Sequence, residues 1–401
     1  MFVYLDNSAT TKQYDRVTDE MIRYMKDDFG NPSSLYGLGI IAEKALKESR
    51  RVVADSLKAD PKEIFFTSGG TEADNFALYS AVHARKRRGN KIITTCVEHP
   101  AVLETCRRLE SEGFKVVYLP VDSRCIVDPE RLEAETDDQT ILISVMHVNN
   151  ETGAVQPVQQ IGRIKDRYNR ENREKNTGII FHTDAVQSYF KLESAGHLAA
   201  AGEKGAYADM ISVSGHKIHG PKGIGALYIN SRLSVPPMMT GGGQEKGMRS
   251  GTENVAAIAG LGKAVEINMS EADEMRSTMA SMKKYLLEGI KTEIKDITVN
   301  GPEEGPAACP SVLNISFAGT RGEVILHTLE EDDIYVSTGS ACSSNKDGDS
   351  HVLKAMGHDH KAIESALRFS FGGFETEEQM DYCLDKLKAA VTRFRKLGTF
   401  R

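Results

Sequence analysis

Between about residues 62 and 182 the chain alternates short apolar, β-branched runs with stretches of helical periodicity, and few folds can accommodate that pattern. Strands are expected over 63–67, 91–95, 115–119, 140–146 and 178–182. The segment SGGTEADN turns into a helix reaching about 88, and further helices are expected over 99–112 and about 158–171. Repeated strand–helix units of this kind form a mainly parallel sheet covered by helices on both faces. Such sheets bind ligands in the loops beyond the carboxyl ends of their strands. Two more apolar runs, Met210 to Val213 and Ala226 to Ile229, flank a tight glycine-rich loop and read as strand, loop, strand.

A chain of 401 residues is long for one domain, so two are expected. Residues 252–293 read as one long helical stretch leading into a smaller α+β domain. That domain has strands near 296–299, 311–317, 334–336 and 365–370 and helices near 321–330 and 375–396. At the other end, residues 1–14 form an extended arm. Helices over 15–28 and 39–58 follow it, separated by Gly30-Asn31-Pro32-Ser33-Ser34. The net charge of −7 gives no basic excess for nucleic acid. The run Arg85-Lys86-Arg87-Arg88 reads as a solvated helix terminus, and the charged stretch 165–177 as a solvated helix end and loop. No apolar run approaches the length of a membrane span, and MFVYLDNSATT lacks the basic region of a signal peptide. Six scattered cysteines, with no CxxC pair and no metal-ligand spacing, suggest reduced thiols in a cytoplasmic compartment.

Each polar motif falls in a loop after an expected strand. In Ser214-Gly215-His216-Lys217, followed by IHGPKGIG, the lysine is held in a loop whose glycines permit close approach to a bound group. A lysine so placed can form a Schiff base with an aldehyde cofactor, although a surface lysine in a hairpin turn is the commoner case. Ser68-Gly69-Gly70-Thr71 stands at a strand-to-helix junction, where free N–H groups and the helix dipole favour an anion; ordinary capping produces similar phrases. Glu98-His99-Pro100 brings an imidazole to the sheet edge, suited to stacking on a planar group or moving a proton. Asn150, Asp184 and Gln187 follow two further strands. A carboxylate at 184 can hold a protonated ring nitrogen, and the two amides can hydrogen-bond a phenolate-type oxygen, each against the reading of a helix cap. An anion cradle, a stacking histidine, a carboxylate and a loop lysine together are what pyridoxal phosphate requires.

Cys342 lies in Ser337-Thr338-Gly339-Ser340-Ala341-Cys342-Ser343-Ser344, too polar and glycine-rich for a core strand. Its thiol is expected to be exposed on a mobile loop, where a thiolate acts as a nucleophile. Arg368, on the apolar run Ala366 to Phe371, offers a planar fork for a substrate carboxylate; a surface ion pair is the plainer alternative.

The segments YLDNSATT, SGGTEADN, EHPAV, HVNNETG, HTDAVQS, SGHKIHGPKGIG, GGGQEKGMRSGT, STGSACSS and ALRFSFG, spread over residues 4–373 in this order, resemble the cysteine desulfurases of the NifS/IscS type. The resemblance implies the fold type I of pyridoxal-phosphate enzymes. Its large domain (15–255) carries a mainly parallel seven-stranded sheet, and a smaller α+β domain (1–14 with 256–401) carries the cysteine loop. It also implies a homodimer. Lys217 would hold the cofactor covalently. Gly70, Thr71, Ser214 and His216 would hold its phosphate, with Thr252 reaching it from the other subunit. His99 would stack on the ring and assist proton transfer, Asp184 would pair with the ring nitrogen, and Asn150 and Gln187 would contact the ring oxygen. Arg368 and Asn31 would bind the carboxylate of L-cysteine, and Cys342 would receive the sulfur. No metal and no direct nucleic-acid contact is implied. The GSACSS loop resembles the group with a mobile cysteine loop. The ending KLGTFR is shorter than the scaffold-docking tail of some members, so an iron–sulfur scaffold and a thiolation enzyme are both open as acceptors. A class V aminotransferase would share the fold and lysine without needing Cys342. A selenocysteine lyase would share nearly everything. A non-enzymatic sulfur-relay protein would be expected to lack Lys217, Asp184 or Cys342.

Overall fold

The computed structural model describes residues 1–172, 178–199, 207–338 and 349–397. Its strands, in chain order, are β1 (Val3–Tyr4), β2 (Ile64–Thr67), β3 (Lys91–Thr95), β4 (Lys115–Leu119), β5 (Thr140–Ser144) and β6 (Ile180–Asp184), then β7 (Met210–Ser214), β8 (Gly225–Ile229), β9 (Ile297–Val299), β10 (Val312–Phe317), β11 (Ile334–Tyr335) and β12 (Ala366–Ser370). Seven of them form one sheet in the order β2-β8-β7-β6-β5-β3-β4. The pairs from β4 through β7 are all parallel, and β8 runs antiparallel to both β7 and β2. That single reversal follows from the short link between Ser214 and Gly225, since a parallel crossover needs a dozen residues or more.

Apolar side chains leave both faces of this sheet. On one side, Phe76, Leu78, Ala81 and Val82 of the helix Gly70–Arg85 pack with Leu109 on Ile92, Leu142 and Leu227. On the other, Val53, Leu57, Ile161 and Leu261 meet Phe66, Ile93, Phe181 and Ile211. Helices on both faces are what the alternating sequence implies. A second core gathers Val3, Leu5, Met279, Leu286, Phe317, Phe369, Phe371 and Leu387 around the antiparallel sheet β12-β10-β9 and the β1–β11 pair. The helix Val255–Glu293 serves both cores. Capped by the Asn254 side chain, it runs 39 residues, a rod of about 60 Å. Leu261 and Val265 belong to the first core, Met279 and Leu286 to the second.

Some elements differ from their sequence-based expectations. β6 spans Ile180–Asp184 rather than 178–182, because the Asn169 side chain takes both backbone groups of Ile179 and leaves the ladder to begin one residue later. His182 and Asp184 are therefore strand residues on one face of the sheet, not loop residues after it. β5 stops at Ser144, short of 146. The charged stretch is solvated only in part. Lys165 is buried, with its ammonium 2.7 Å from Asp166 and 3.1 Å from Asp209, and the loop portion at 173–177 lies outside the described residues. The short helices Pro129–Glu135, His351–Ala355 and His360–Glu364 are below the length at which periodicity reveals a helix.

Candidate active site

The carboxyl ends of β2, β3, β5, β6 and β7 open on one edge of the seven-stranded sheet, and several of the residues singled out by motif lie there. β7 ends at Ser214, and a 3₁₀ turn over Gly215–Lys217 follows. The turn aims Lys217 at the amino-terminal arm, where its Nζ donates to Ser8 O at 2.5 Å and to Ala9 O at 2.7 Å. The arm is pinned by Thr11, whose N–H and hydroxyl both donate to His216 O. The structure thus gives 1–14 a local role that sequence did not reveal: it supplies the acceptors that hold the lysine.

Beside this turn, Gly69 adopts φ 152° and ψ −174°, a conformation open essentially to glycine alone. It starts the helix Gly70–Arg85 with the first-turn N–H groups lacking intrahelical acceptors. Glycine is required again at 225, where a Cβ would stand 2.5 Å from Val213 O and 2.9 Å from Gly69 Cα. A Cβ on Gly70 would lie 2.9 Å from Val186 Cγ2 and 3.7 Å from Ser214 Cβ. Ser214 Oγ faces this cradle, buried and without a hydrogen-bond partner among the described residues. Thr71 is exposed at the mouth. His216 is half-buried, its Nδ1 3.2 Å from Thr10 Oγ1. Burial, and then the charge of Lys217, depress its pKa to about 4, so it is neutral at ordinary pH.

Asp184 ends β6, buried, its Oδ1 accepting from Val186 N at 2.8 Å. Burial raises its carboxyl to about 6, opposed by that hydrogen bond and by the charge of Lys217. Two more buried carboxyls accompany it. Glu98 accepts from Thr95 Oγ1 and Met146 N, and burial pushes it up to about 8. Asp74, on the inward face of the helix Gly70–Arg85, is raised well above the carboxylate range by burial and by Asp184. It lies 3.6 Å from His182 Nε2. His182, bonded to Ser144 and Ser212, is held neutral by burial at about 3. Of the three carboxyls, Asp184 is therefore the one most readily ionised near neutrality.

His99 caps the helix Pro100–Ser111, with Nδ1 accepting from Ala101 N. That bond puts the proton of the neutral ring on Nε2, and burial followed by the charge of Lys217 lowers its pKa to about 4. Gln187 is buried, its amide donating to Ser8 O and accepting from Lys191. Asn150 is half-buried, and its backbone carbonyl accepts from Arg368.

Arg368 is not in a surface ion pair. It is only 2% exposed, with one terminal nitrogen 2.7 Å from Asp6 Oδ1 and the other 3.0 Å from Asn150 O. Its Nε has no partner among the described residues. Asn31 and Thr252 are not gathered with the others in this chain: both are exposed, and Asn31 Oδ1 takes the N–H of Ser33 in a local turn. Cys342 lies outside the described residues. The segment bearing it leaves from Ser337, whose N–H and C=O pair with the backbone of Arg368. It returns at Ser350 and His351, bonded to Glu151 Oε2 and to Glu98 O. Both ends are thus fastened beside Arg368 and His99. Among the described residues, no group of histidine, cysteine and acidic side chains could hold a metal.

Sequence reasoning missed Asp6, Asp74, Glu98 and Lys191 as parts of the site. Asp74 had a legible signal, since it interrupts the apolar positions Ala73, Phe76 and Ala77 of one helix. No spacing could have paired residue 6 with residue 368.

Residues 3–383 match the family model described as Aminotransferase class-V. The chain belongs to this family. Within it, the similarity points to one branch. The chain is 42% identical over 396 residues to the cysteine desulfurase IscS of Clostridium botulinum, covering 99% of this chain and 96% of that protein. A solved structure described as a NifS-like protein superposes with a TM-score of 0.86 at 39% identity, covering 98% of this chain and all of that one. Another, described as SspA in complex with cysteine, gives 0.77 at 34% identity over 93% of this chain and all of that one. This class-V aminotransferase relative is a NifS/IscS-type cysteine desulfurase.

Proposed function

We propose that the protein uses pyridoxal phosphate to remove sulfur from L-cysteine, releasing L-alanine and leaving a persulfide on Cys342 for transfer to an acceptor protein. The observation that carries this reading is Lys217, its amine held at the sheet edge by Ser8 O and Ala9 O and near enough to Asp184 for its charge to act on that carboxyl. The residues present fit the cofactor. Ser214 Oγ, buried and unpartnered among the described residues at a helix N-terminus, suits a phosphate oxygen, with the N–H groups of Gly70 and Thr71 and the His216 ring beside it. Thr252, exposed in this chain, would complete that cradle from a second copy. Asp184 would hold the proton of the ring nitrogen, His99 would lie against the ring, and Asn150 and Gln187 would meet its oxygen. When bound, the cofactor supplies an electron sink for bond breaking at the substrate α-carbon.

The chain's own residues account for the rest. Arg368 orients the substrate carboxylate, with Asp6 and the Asn150 carbonyl fixing its plane and Asn31 as a further contact. Lys217 takes the α-proton and returns it, and its two backbone acceptors give the amine a defined resting place. Neutral His99 offers Nε2–H as a proton donor for the carbon skeleton that keeps the electron pair. The Cys342 thiolate attacks the substrate sulfur. An S–S bond forms, the C–S bond breaks, and the electron pair stays on the carbon skeleton that is protonated to alanine. A second copy of the chain is supported by an exposed apolar strip near Asn31, with Met25, Phe29, Leu35 and Tyr36 all more than half exposed. We assign residues 15–255 to a cofactor-binding domain and 1–14 with 256–401 to a smaller one, and a cytoplasmic, reduced setting suits the free thiols. No described helix is long and apolar enough to cross a membrane.

The test is alanine release from L-cysteine by reduced, cofactor-loaded protein, beside Cys342→Ala. Alanine from the parent and little from the variant supports desulfuration through that thiol. Equal release from both moves the sulfur chemistry off Cys342. Release from neither, with the cofactor bound, leaves an aminotransferase.

A further inference from the structure

Lys191 is a cation with an unusual address. Only 4% exposed, it has no ion-pair partner among the described residues. Its Nζ donates to Gln187 Oε1 at 3.0 Å, Gln187 Nε2 donates to Ser8 O at 3.0 Å, and Ser8 O also accepts from Lys217 Nζ at 2.5 Å. Three hydrogen bonds thus join the two lysines through one amide and one carbonyl. The backbone is strained at the preceding position: Phe190, a bulky residue, sits at φ 60°, a conformation disfavoured without glycine. An ammonium group can only donate, so it fixes Gln187 with its oxygen toward Lys191 and its NH₂ toward Ser8.

We propose that Lys191 is a positioning residue for the Lys217 site, orienting the Gln187 amide and placing a second positive charge, present at neutral pH, near the reactive amine. A neighbouring cation favours the neutral, nucleophilic form of a lysine and lowers the pKa of any protonated nitrogen formed there. The groups facing Lys191 include Cys309, which favours its charged form, Lys217 and Arg368, which oppose it, and the rings of His216 and His219, whose protonation its charge disfavours. With burial the dominant cause, its ammonium falls to about 8, so it still carries charge at neutral pH. Among the described groups that feel the charge of Lys217 are Asp184, His99, His216 and Lys191 itself. Asp184 is an acid among these, and the charge of Lys191 opposes the pull of that carboxylate on the amine.

The inference rests on the proposed cofactor reading, and one set of holoproteins separates the two. Parent, Lys191→Met and Lys191→Arg proteins are loaded with pyridoxal phosphate, and the absorbance of the bound cofactor is titrated with pH. Borohydride trapping and peptide mass spectrometry check attachment at Lys217. The Met variant is expected to raise the pH midpoint by about one unit, the size of one partly screened charge at this remove, and the Arg variant to restore it to within a few tenths. If Met fails to fold by circular dichroism, Lys191→Gln takes its place. A midpoint unchanged on removing the charge, with the cofactor still on Lys217, overturns the role of Lys191 and leaves the cofactor reading intact. Absence of trapped cofactor on Lys217 in the parent overturns both.

Discussion

Asp184→Asn is expected to stabilise the cofactor-free protein while crippling it as an enzyme. The carboxyl titrates at about 6 in the fold against an ordinary value of 3.8, with burial as the main cause. A difference of about 2 pKa units corresponds to about 3 kcal/mol. Because the folded value is raised, the favourable contribution is complete below the unfolded value of 3.8. It is lost as pH rises through about 6, beyond which the ionised group weighs against folding by the full amount. Asparagine does not titrate, keeps an oxygen for the Val186 N–H, and removes that cost. Urea unfolding of the cofactor-free parent and variant should therefore nearly coincide at about pH 4. At about pH 8 they should separate by up to about 3 kcal/mol in favour of the variant, roughly 1 M in midpoint for a chain of this size. The same variant should form little alanine, since a neutral amide cannot hold a proton on a ring nitrogen. A variant less stable than the parent at the higher pH, or a difference independent of pH, would refute the claim that burial dominates this carboxyl.

Two substitutions probe the cradle and the substrate fork. Gly69→Ala places a Cβ where φ is 152°, at a cost of about 1–3 kcal/mol. It should weaken pyridoxal-phosphate retention in equilibrium dialysis by about tenfold or more, whereas retention equal to the parent's would deny Gly69 a part in the cradle. Arg368→Lys keeps the charge that balances Asp6 but loses the planar fork. KM for L-cysteine should rise by about 10- to 100-fold with a smaller change in kcat, and an unchanged KM would remove Arg368 from carboxylate binding.

Sequence alone determined the architecture, because burial on both faces leaves a periodicity that local reading detects: β-branched runs separated by helices, and one long helix entering a second core. It also singled out candidate chemical parts, since Lys217, Asp184, His99 and the Gly69-Gly70 junction each fall where a strand gives way to a loop. Boundaries were less legible. β6 begins at Ile180 because a side chain eleven residues upstream of it, Asn169, claims the preceding backbone groups, and such competition is tertiary. The same holds for what tunes the parts. Ser8 and Ala9 cradle Lys217, Asp6 holds Arg368, and Lys191 is linked to Lys217 through Gln187 and the arm. These partners lie up to 362 residues apart in the chain. The depressed histidines and raised carboxyls are likewise products of burial, a property of the packed molecule and of no motif. Residue type supplies the reactive groups, and the low-dielectric surroundings formed on folding set which of them carry charge.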